Sequence, residues 1–211
     1  VGDDFQINPE QIESRYFGIL TKVFNVGRFA SQFDFDGDLD KVPDNLENED
    51  QWILAEFSDL LEKARVGYSG LDIYTAAQGI KTFSTGVFAS HWLEMSKTRL
   101  YNGDTSATWT LHRIFRDLLS ILSPICPFFT HHLSTILYEK SAVDVDIFPE
   151  IPMTGTEKWT KMTDSLVGFN SAVWKAKKDA GISLAAPISG HTVPDELKNI
   201  GPALVSMHKL E

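Results

Sequence analysis

A chain of 211 residues, 43% hydrophobic and 23% charged, is long enough for one sizeable core and too ordinary in composition for a disordered or fibrous protein. Its formal net charge of −10 argues against a protein that coats nucleic acid non-specifically, because that mode needs many cations to displace phosphate counterions; one local basic site remains open. No apolar run approaches the ~20 residues that span a bilayer, and Val1-Gly2-Asp3-Asp4 lacks the basic and apolar regions of a signal peptide, so no membrane association and a cytoplasmic location are expected.

Cys126 is the only cysteine, which rules out an intramolecular disulfide framework and fits a reducing compartment; within SPICPFF it reads as a core residue. The chain starts at Val1 without an initiator methionine, and the expectation is a piece of a longer polypeptide.

In chain order, a first helix is predicted with Asn8 as cap and Pro9 at its first position, carrying Ile12, Tyr16, Ile19, Leu20, Val23 and Ala30 at helical spacing. Around its outside, Arg15, Lys22 and Phe29 form one stripe beside Asn25, while Arg28 lies with Phe24 and Phe17 on another side. The loop DFDGDLDKVPDNLENED follows. Its Asp34, Asp36, Asp38 and Asp40 alternate as calcium ligands do, but a calcium-hand loop needs glycine sixth and glutamate twelfth, and here Gly37 is fourth and Asn45 twelfth; it reads as a solvated acidic loop.

A second helix is predicted from about Asp50, burying Ile53, Phe57, Leu60, Leu61 and Ala64, until VGYSG breaks it. A long helix, roughly 40 Å at 1.5 Å per residue, starts at Asp72 and carries Ile73, Ala76, Ala77, Ile80, Phe83, Val87, His91 and Met95 on one face before YNGD turns the chain. A fourth places Leu111, Ile114, Phe115, Leu118, Leu119 and Leu122 inward with His112, Arg113, Arg116 and Asp117 opposite, and Pro124 and Pro127 stop it. A shorter fifth, from about Phe128 to Tyr138, buries Phe129, Leu133, Ile136 and Leu137. After VDVDIFPEIP come a helix from about Glu157 to Ala180 with Gly181 as its stop, the β-prone pieces GISL and GHTV, and a helix around Glu196 to Leu204. The expected architecture is mainly α: an antiparallel helical bundle over 1–148 with a small appended C-terminal α/β module over 149–211, whose completeness stays open.

Chemistry is sparse. There is no Gly-rich phosphate loop, no dinucleotide fingerprint and no zinc spacing; His131 and His132 point about 100° apart on a helix, and VGYSG fails the spacing of a nucleophile elbow. No catalytic residue and no metal ligand are nominated. What stands out is HWLEMSKTRLYNGD, residues 91 to 104, where bases and aromatics crowd together. Two readings stay open for it: a nucleic-acid surface, or a helix end whose Lys97 and Arg99 answer the macrodipole while Trp92 sits in the core.

Taken together, FGILTKVFNVGRF, NEDQWILAEFSDLLEKA, FASHWLEMSKTRLYNGD, LLSILSPICPFFTHHLSTILY and VDIFPEIP, in that order and spacing, resemble the anticodon-binding domain of the valyl-tRNA synthetase family over nearly the whole chain. Each motif is shared with the isoleucyl, leucyl and methionyl relatives, and VGDDFQ with WKAKKDAGISLAAPI looks like the archaeal-type valyl enzymes. The resemblance implies a bundle that grips the anticodon stem-loop of tRNA(Val). It further implies a catalytic domain in the same polypeptide that activates valine with ATP and Mg²⁺, in an enzyme that is a monomer. This stretch would hold no cofactor and be inactive alone.

The family's Trp-Asn-Ala-Ser-Arg-Phe element corresponds to Phe24, Asn25, Val26, Gly27, Arg28 and Phe29. Its Asp-Arg-Trp is Asp50, Gln51 and Trp52, one cation fewer, and its Cys-Asp-Trp-Tyr is Ala89, Ser90, His91 and Trp92, with Thr98 where the family has proline. Unstacked loop bases are read by stacking and by edge hydrogen bonds. The resemblance therefore implies Trp52 and Phe29 as stacking platforms, Asn25 and Arg28 as edge readers, and Lys22, Lys97 and Arg99 as phosphate contacts. Lys175, Lys177 and Lys178 stand as either a further tRNA contact or a solvated helix end. The alternatives are the same domain of a related isoleucyl, leucyl or methionyl synthetase, a free-standing helical interaction protein that kept the fold and lost RNA binding, and an independent enzyme.

Overall fold

The computed structural model describes residues 10, 17–139, 148–153 and 155–211, so the expected start of the first helix, with Asn8, Pro9, Ile12, Arg15 and Tyr16, lies outside the described residues. Helix α1 (Gly18–Ala30) turns Val23, Val26, Gly27 and Ala30 inward. Gly27 sets its position: a Cβ there would come 3.0 Å from Cζ of Phe115, and its absence lets the backbone lie against the ring.

Helix α2 (Asn48–Ser69) is the central rod; Trp52, Ile53, Leu54, Ala55 and Phe57 are each 0% exposed. It runs through Val66, Gly67, Tyr68 and Ser69 rather than breaking there. Gly67 allows a close approach instead of a stop, since a Cβ on it would stand 3.0 Å from the carbonyl oxygen of Asp72 as the chain doubles back.

The long helix expected after Asp72 is a composite. Helix α3 (Ile73–Thr82), capped by the Asp72 carboxylate accepting from Thr75 N–H, passes into a π-helical segment (Phe83–Trp92) and then α4 (Leu93–Tyr101). In an α-helix residues five apart diverge, whereas the wider i→i+5 turn brings them to one side. Phe83 and Phe88 use this to stack at 5.9 Å, and Phe88 stacks in turn on Trp92 at 5.4 Å.

Helix α5 (Thr105–Leu122) is capped by Asp104, which accepts from Ala107 N–H, and its apolar face is as expected. Its other face is not solvated: His112, Arg113 and Asp117 are buried because the acidic loop folds across them. Arg113 pairs with Asp117 at 2.6 Å and donates to the carbonyls of Leu39 and Glu150, while Arg116 bridges Asp40 and Asp117. Each inward charge thus has a partner, the condition under which a charge is tolerated there. Helix α6 (Pro127–Tyr138) begins on a proline, where no N–H is missed.

Beyond Phe148 lie α7 (Glu157–Thr160), α8 (Thr163–Asp179), a 3-10 turn (Asp195–Ile200) and α9 (Gly201–His208). The helix expected from Glu157 to Ala180 is interrupted at Lys161 and Met162, and Gly181, at φ +67°, follows α8. The β-prone pieces do not form a sheet: among the described residues one isolated bridge, Ile188 to Leu210, is all the pairing there is. Ile151, Trp159, Met162, Leu166, Leu197, Ile200 and Leu204 belong to the same hydrophobic cluster as Trp52 and Phe115, so this segment shares the bundle's core and is helical, not α/β. Among the described residues no helix is long and apolar enough to cross a membrane.

Candidate nucleic-acid interface

The seven residues expected to touch RNA separate into two groups. Trp52 is 0% exposed, and its indole N–H donates to Thr163 Oγ1 at 2.8 Å. Thr163 in turn donates to Glu56 Oε1, whose pKa burial raises. Trp52 is therefore a core residue that ties α2 to α8, and its role as a stacking platform is overturned.

Arg99 is overturned as a phosphate contact for a different reason. Its guanidinium grips Asp50 through two bonds, Nη1 to Oδ1 at 3.0 Å and Nη2 to Oδ2 at 2.7 Å, and also reaches Glu49 at 2.9 Å and Asp104 at 2.9 Å. Three carboxylates surround it at the N-terminal turns of α2 and α5, where acids are favoured by the helix dipoles. Asp50, fully buried, also accepts from Ser106 Oγ and from the indole N–H of Trp92. Burial works against the guanidinium's charge, but the hydrogen bonds and charge of Asp50 and Asp104 outweigh it and raise the pKa of Arg99. Burial likewise opposes ionisation of Asp104, yet its bonds to Arg99 and to backbone N–H groups keep its carboxyl below the usual range. Glu49 is pushed up by burial despite Arg99. This cation staples three elements.

The remaining five expected residues reach the surface, Phe29 and Lys97 only in part. On α1, Lys22, Asn25 and Arg28 are exposed, and Asn25, three residues after Lys22 and four before Phe29, lies on one stripe with them. Phe29 packs edge-on to Phe33 at 4.9 Å and to Tyr101 at 6.1 Å, and Tyr101 is itself 64% exposed. Lys22 reaches across to the π-helical segment, donating to Thr85 O and Ser90 Oγ. An ammonium has three donors, so one remains for a ligand. Lys97 pairs with Glu94 at 2.6 Å, each side chain 40% exposed.

A groove brings Lys22 and Lys97 together with Ser90, Trp174 and Lys209. Trp174 and Lys209 were not singled out from the sequence, although Trp174 stands in WKAKKD beside the lysine run that was. Within that run Lys177 is not a surface cation: it is buried and donates to the carbonyls of Leu184 and His208, both at 2.8 Å. Burial, then Lys209, lowers its pKa. The stretch from His91 to Asp104 therefore divides by position: His91, Trp92 and Arg99 build the interior, and Lys97 and Tyr101 face out.

Helices that present lysines and aromatic rings around an open groove have the parts an unstacked nucleic-acid loop requires. Residues 50–192 match the sequence model of the family described as the anticodon-binding domain of tRNA ligase, and the chain belongs to that family. Curated relatives include the valine–tRNA ligase of Nanoarchaeum equitans (strain Kin4-M), 28% identical over 218 residues that take in 100% of this chain and 27% of the relative. That of Pyrobaculum aerophilum is 31% identical over 224 residues, 100% of this chain and 27% of the relative. The valine–tRNA ligase of Sulfurisphaera tokodaii is 33% identical over 152 residues, 72% of this chain and 18% of the relative. The chain thus spans about a quarter of the length of these relatives, or less.

Proposed function

We propose that this chain is the anticodon-recognising part of an archaeal-type valine–tRNA ligase, holding the anticodon stem-loop of tRNA(Val) for a catalytic domain elsewhere in the same polypeptide. The match of residues 50–192 to the anticodon-binding family carries the reading, and the valine–tRNA ligases aligned with the whole chain support valine as its amino acid. Lys22 and Lys97 meet phosphates, Phe29 supplies aromatic surface beside Tyr101, and Asn25 and Arg28 offer donors to base edges. Stacking is worth about 1–3 kcal/mol per base, enough to order a loop whose bases are already unpaired.

ATP and Mg²⁺ belong to the catalytic domain under this reading. The sequence has no Gly-rich phosphate loop, and among the described residues there is no group of three His, Cys, Asp or Glu side chains that could hold a metal ion, so no site for either is assigned to this chain. Valine activation and transfer are therefore assigned to no residue of this chain. Under the same reading the whole enzyme works in the cytoplasm as a monomer.

The test is a kinetic split in the whole ligase. Arg28→Ala should raise KM for tRNA and leave valine-dependent exchange of pyrophosphate into ATP almost unchanged. Equal loss in both assays would make the arginine structural. Charging of an isoleucine, leucine or methionine tRNA in preference to tRNA(Val) would move the chain to that sister enzyme.

A further inference from the structure

Of the five tryptophans, Trp52, Trp92, Trp109 and Trp159 are at most 4% exposed, whereas Trp174 is half-buried and lines the open groove. A tryptophan left facing water wants either a polar reason or a partner. No hydrogen bond from its indole N–H is seen among the described residues, and its surroundings hold the ring in one pose. On one side Trp174 stacks on His91, centroids 5.4 Å apart at 25°, and His208 meets it edge-on at 5.7 Å. Beneath these rings Asn170, buried, joins the two histidines: its Nδ2 donates to His91 Nδ1 at 2.9 Å, and its Oδ1 accepts from His208 Nε2 at 2.8 Å. Both histidines are kept neutral, because burial lowers their pKa and Lys22 and Lys177 push the same way. The indole is thus seated on a fixed, uncharged base, and little ordering remains to be lost when something lies on it.

Around that ring the groove carries Lys22, Lys97 and Lys209 against one acid, Glu94, in a chain of net charge −10. Glu94 and Lys97 form an exposed ion pair, a class of contact worth little and readily exchanged for a phosphate. A fixed aromatic platform ringed by cations suits a base with its backbone. An acidic peptide would use the lysines and leave the ring idle.

We propose that this groove holds a single unstacked RNA nucleotide, its base laid on the groove side of Trp174 and its flanking phosphates met by Lys22, Lys97 and Lys209. The proposal rests on the reading of the chain as a stem-loop binder and adds a subsite, Trp174 with Lys209, that lies outside the expected set. Stacking accepts any base, so the subsite grips the loop, and its base identity is read elsewhere.

All five tryptophans emit, but the other four are sealed from contact with a ligand, so contact quenching of the 211-residue chain's emission reports on Trp174. Titration with the anticodon stem-loop of tRNA(Val) should quench it, a blunt duplex of the stem sequence should not, and Trp174→Phe should abolish the quench while RNA still binds by anisotropy of a labelled stem-loop. Trp174→Ala should raise Kd by about 5- to 150-fold, the equivalent of ~1–3 kcal/mol of stacking. Binding by anisotropy with no quench and no effect of either variant would overturn the subsite and leave the stem-loop reading standing. Equal quenching by poly-glutamate would also overturn it, in favour of an acidic peptide groove. Absence of binding in low salt would remove both the subsite and the reading beneath it.

Discussion

Arg99→Ala separates a structural cation from a binding one. The substitution leaves Asp50 at 0% exposure with only Ser106 Oγ and Trp92 Nε1 as partners, and it strands Glu49, whose side chain is 9% exposed. Removing one partner of a buried pair costs about 3–5 kcal/mol, because the other charge stays behind without compensation. Against a typical total of about 5–15 kcal/mol, that is a large fraction of the stability. For a chain of this size it corresponds to a fall in Tm of roughly 6–20 °C. Urea unfolding followed by circular dichroism should show the loss as a lower midpoint. Adding Asp50→Asn to the same chain removes the stranded charge, and the double variant should recover part of the stability. A single variant within ~0.5 kcal/mol of the parent, with weakened RNA binding, would refute this account: the guanidinium would then be free for phosphate after all.

Lys177→Met should lower stability by about 1–3 kcal/mol, since the carbonyls of Leu184 and His208 lose their donor, and should leave the affinity for RNA nearly unchanged in the same titrations. Lys97→Ala should do the reverse, holding the unfolding midpoint while the slope of log K against log salt shrinks by roughly 0.7–1. Acid should destabilise the fold through His208, whose pKa burial, then Lys177, His191 and His91, push down from 6.5 to about 4. The unfolded histidine takes up its proton below 6.5 and the folded one waits until about 4, so stability is full above pH 6.5 and falls towards pH 4, by on the order of 3 kcal/mol at 1.36 kcal/mol per unit. Glu49 and Glu56, raised by burial, act in the opposite sense above their ordinary 4.5, so the comparison of the parent with His208→Gln across that range isolates the histidine. A variant with an unchanged pH slope would rule His208 out as the source.

Periodicity made the bundle legible where burial is one-sided. The spacing of Leu111, Ile114, Phe115, Leu118 and Leu122 locates α5, and Asp72 and Asp104 cap helices as short acids do. It failed where polar residues go inward. Arg113 and Asp117 are an ordinary i, i+4 pair in sequence, and their burial depends on Leu39 and Asp40, more than seventy residues away. The π-helical segment was illegible because Phe83, Val87, His91 and Met95 fit an α-helix equally well; the stacking of Phe83, Phe88 and Trp92 chooses between them. GISL and GHTV read as β-prone, yet neither pairs: among the described residues the one bridge joins Ile188, which lies between them, to Leu210.

The outward cations of α1 were legible for a plain reason: Val23, Val26 and Ala30 define the inner face, and Lys22, Asn25 and Arg28 follow as the outer one. Trp52 and Arg99 were not, since a tryptophan or an arginine beside acids reads the same whether it faces water or a partner helix. Trp174 was not legible either, since a tryptophan heading WKAKKD reads equally well as core. The groove needs α1, the π-helical segment, α4, α8 and α9 to assemble before its members are neighbours.

Under the proposed function, the outward lysines and rings of this bundle dock the anticodon stem-loop. Equilibrium binding of the chain to that stem-loop over a salt series tests it most directly. Lys22, Lys97 and Lys209 on a single-stranded loop predict that log K falls against log salt with a slope near −2, about −0.7 per phosphate met. A loop of unrelated sequence on the same stem should bind more weakly. No salt-dependent binding in the micromolar range at low salt would contradict the account and leave a helical interaction protein that has kept the family's fold without its RNA.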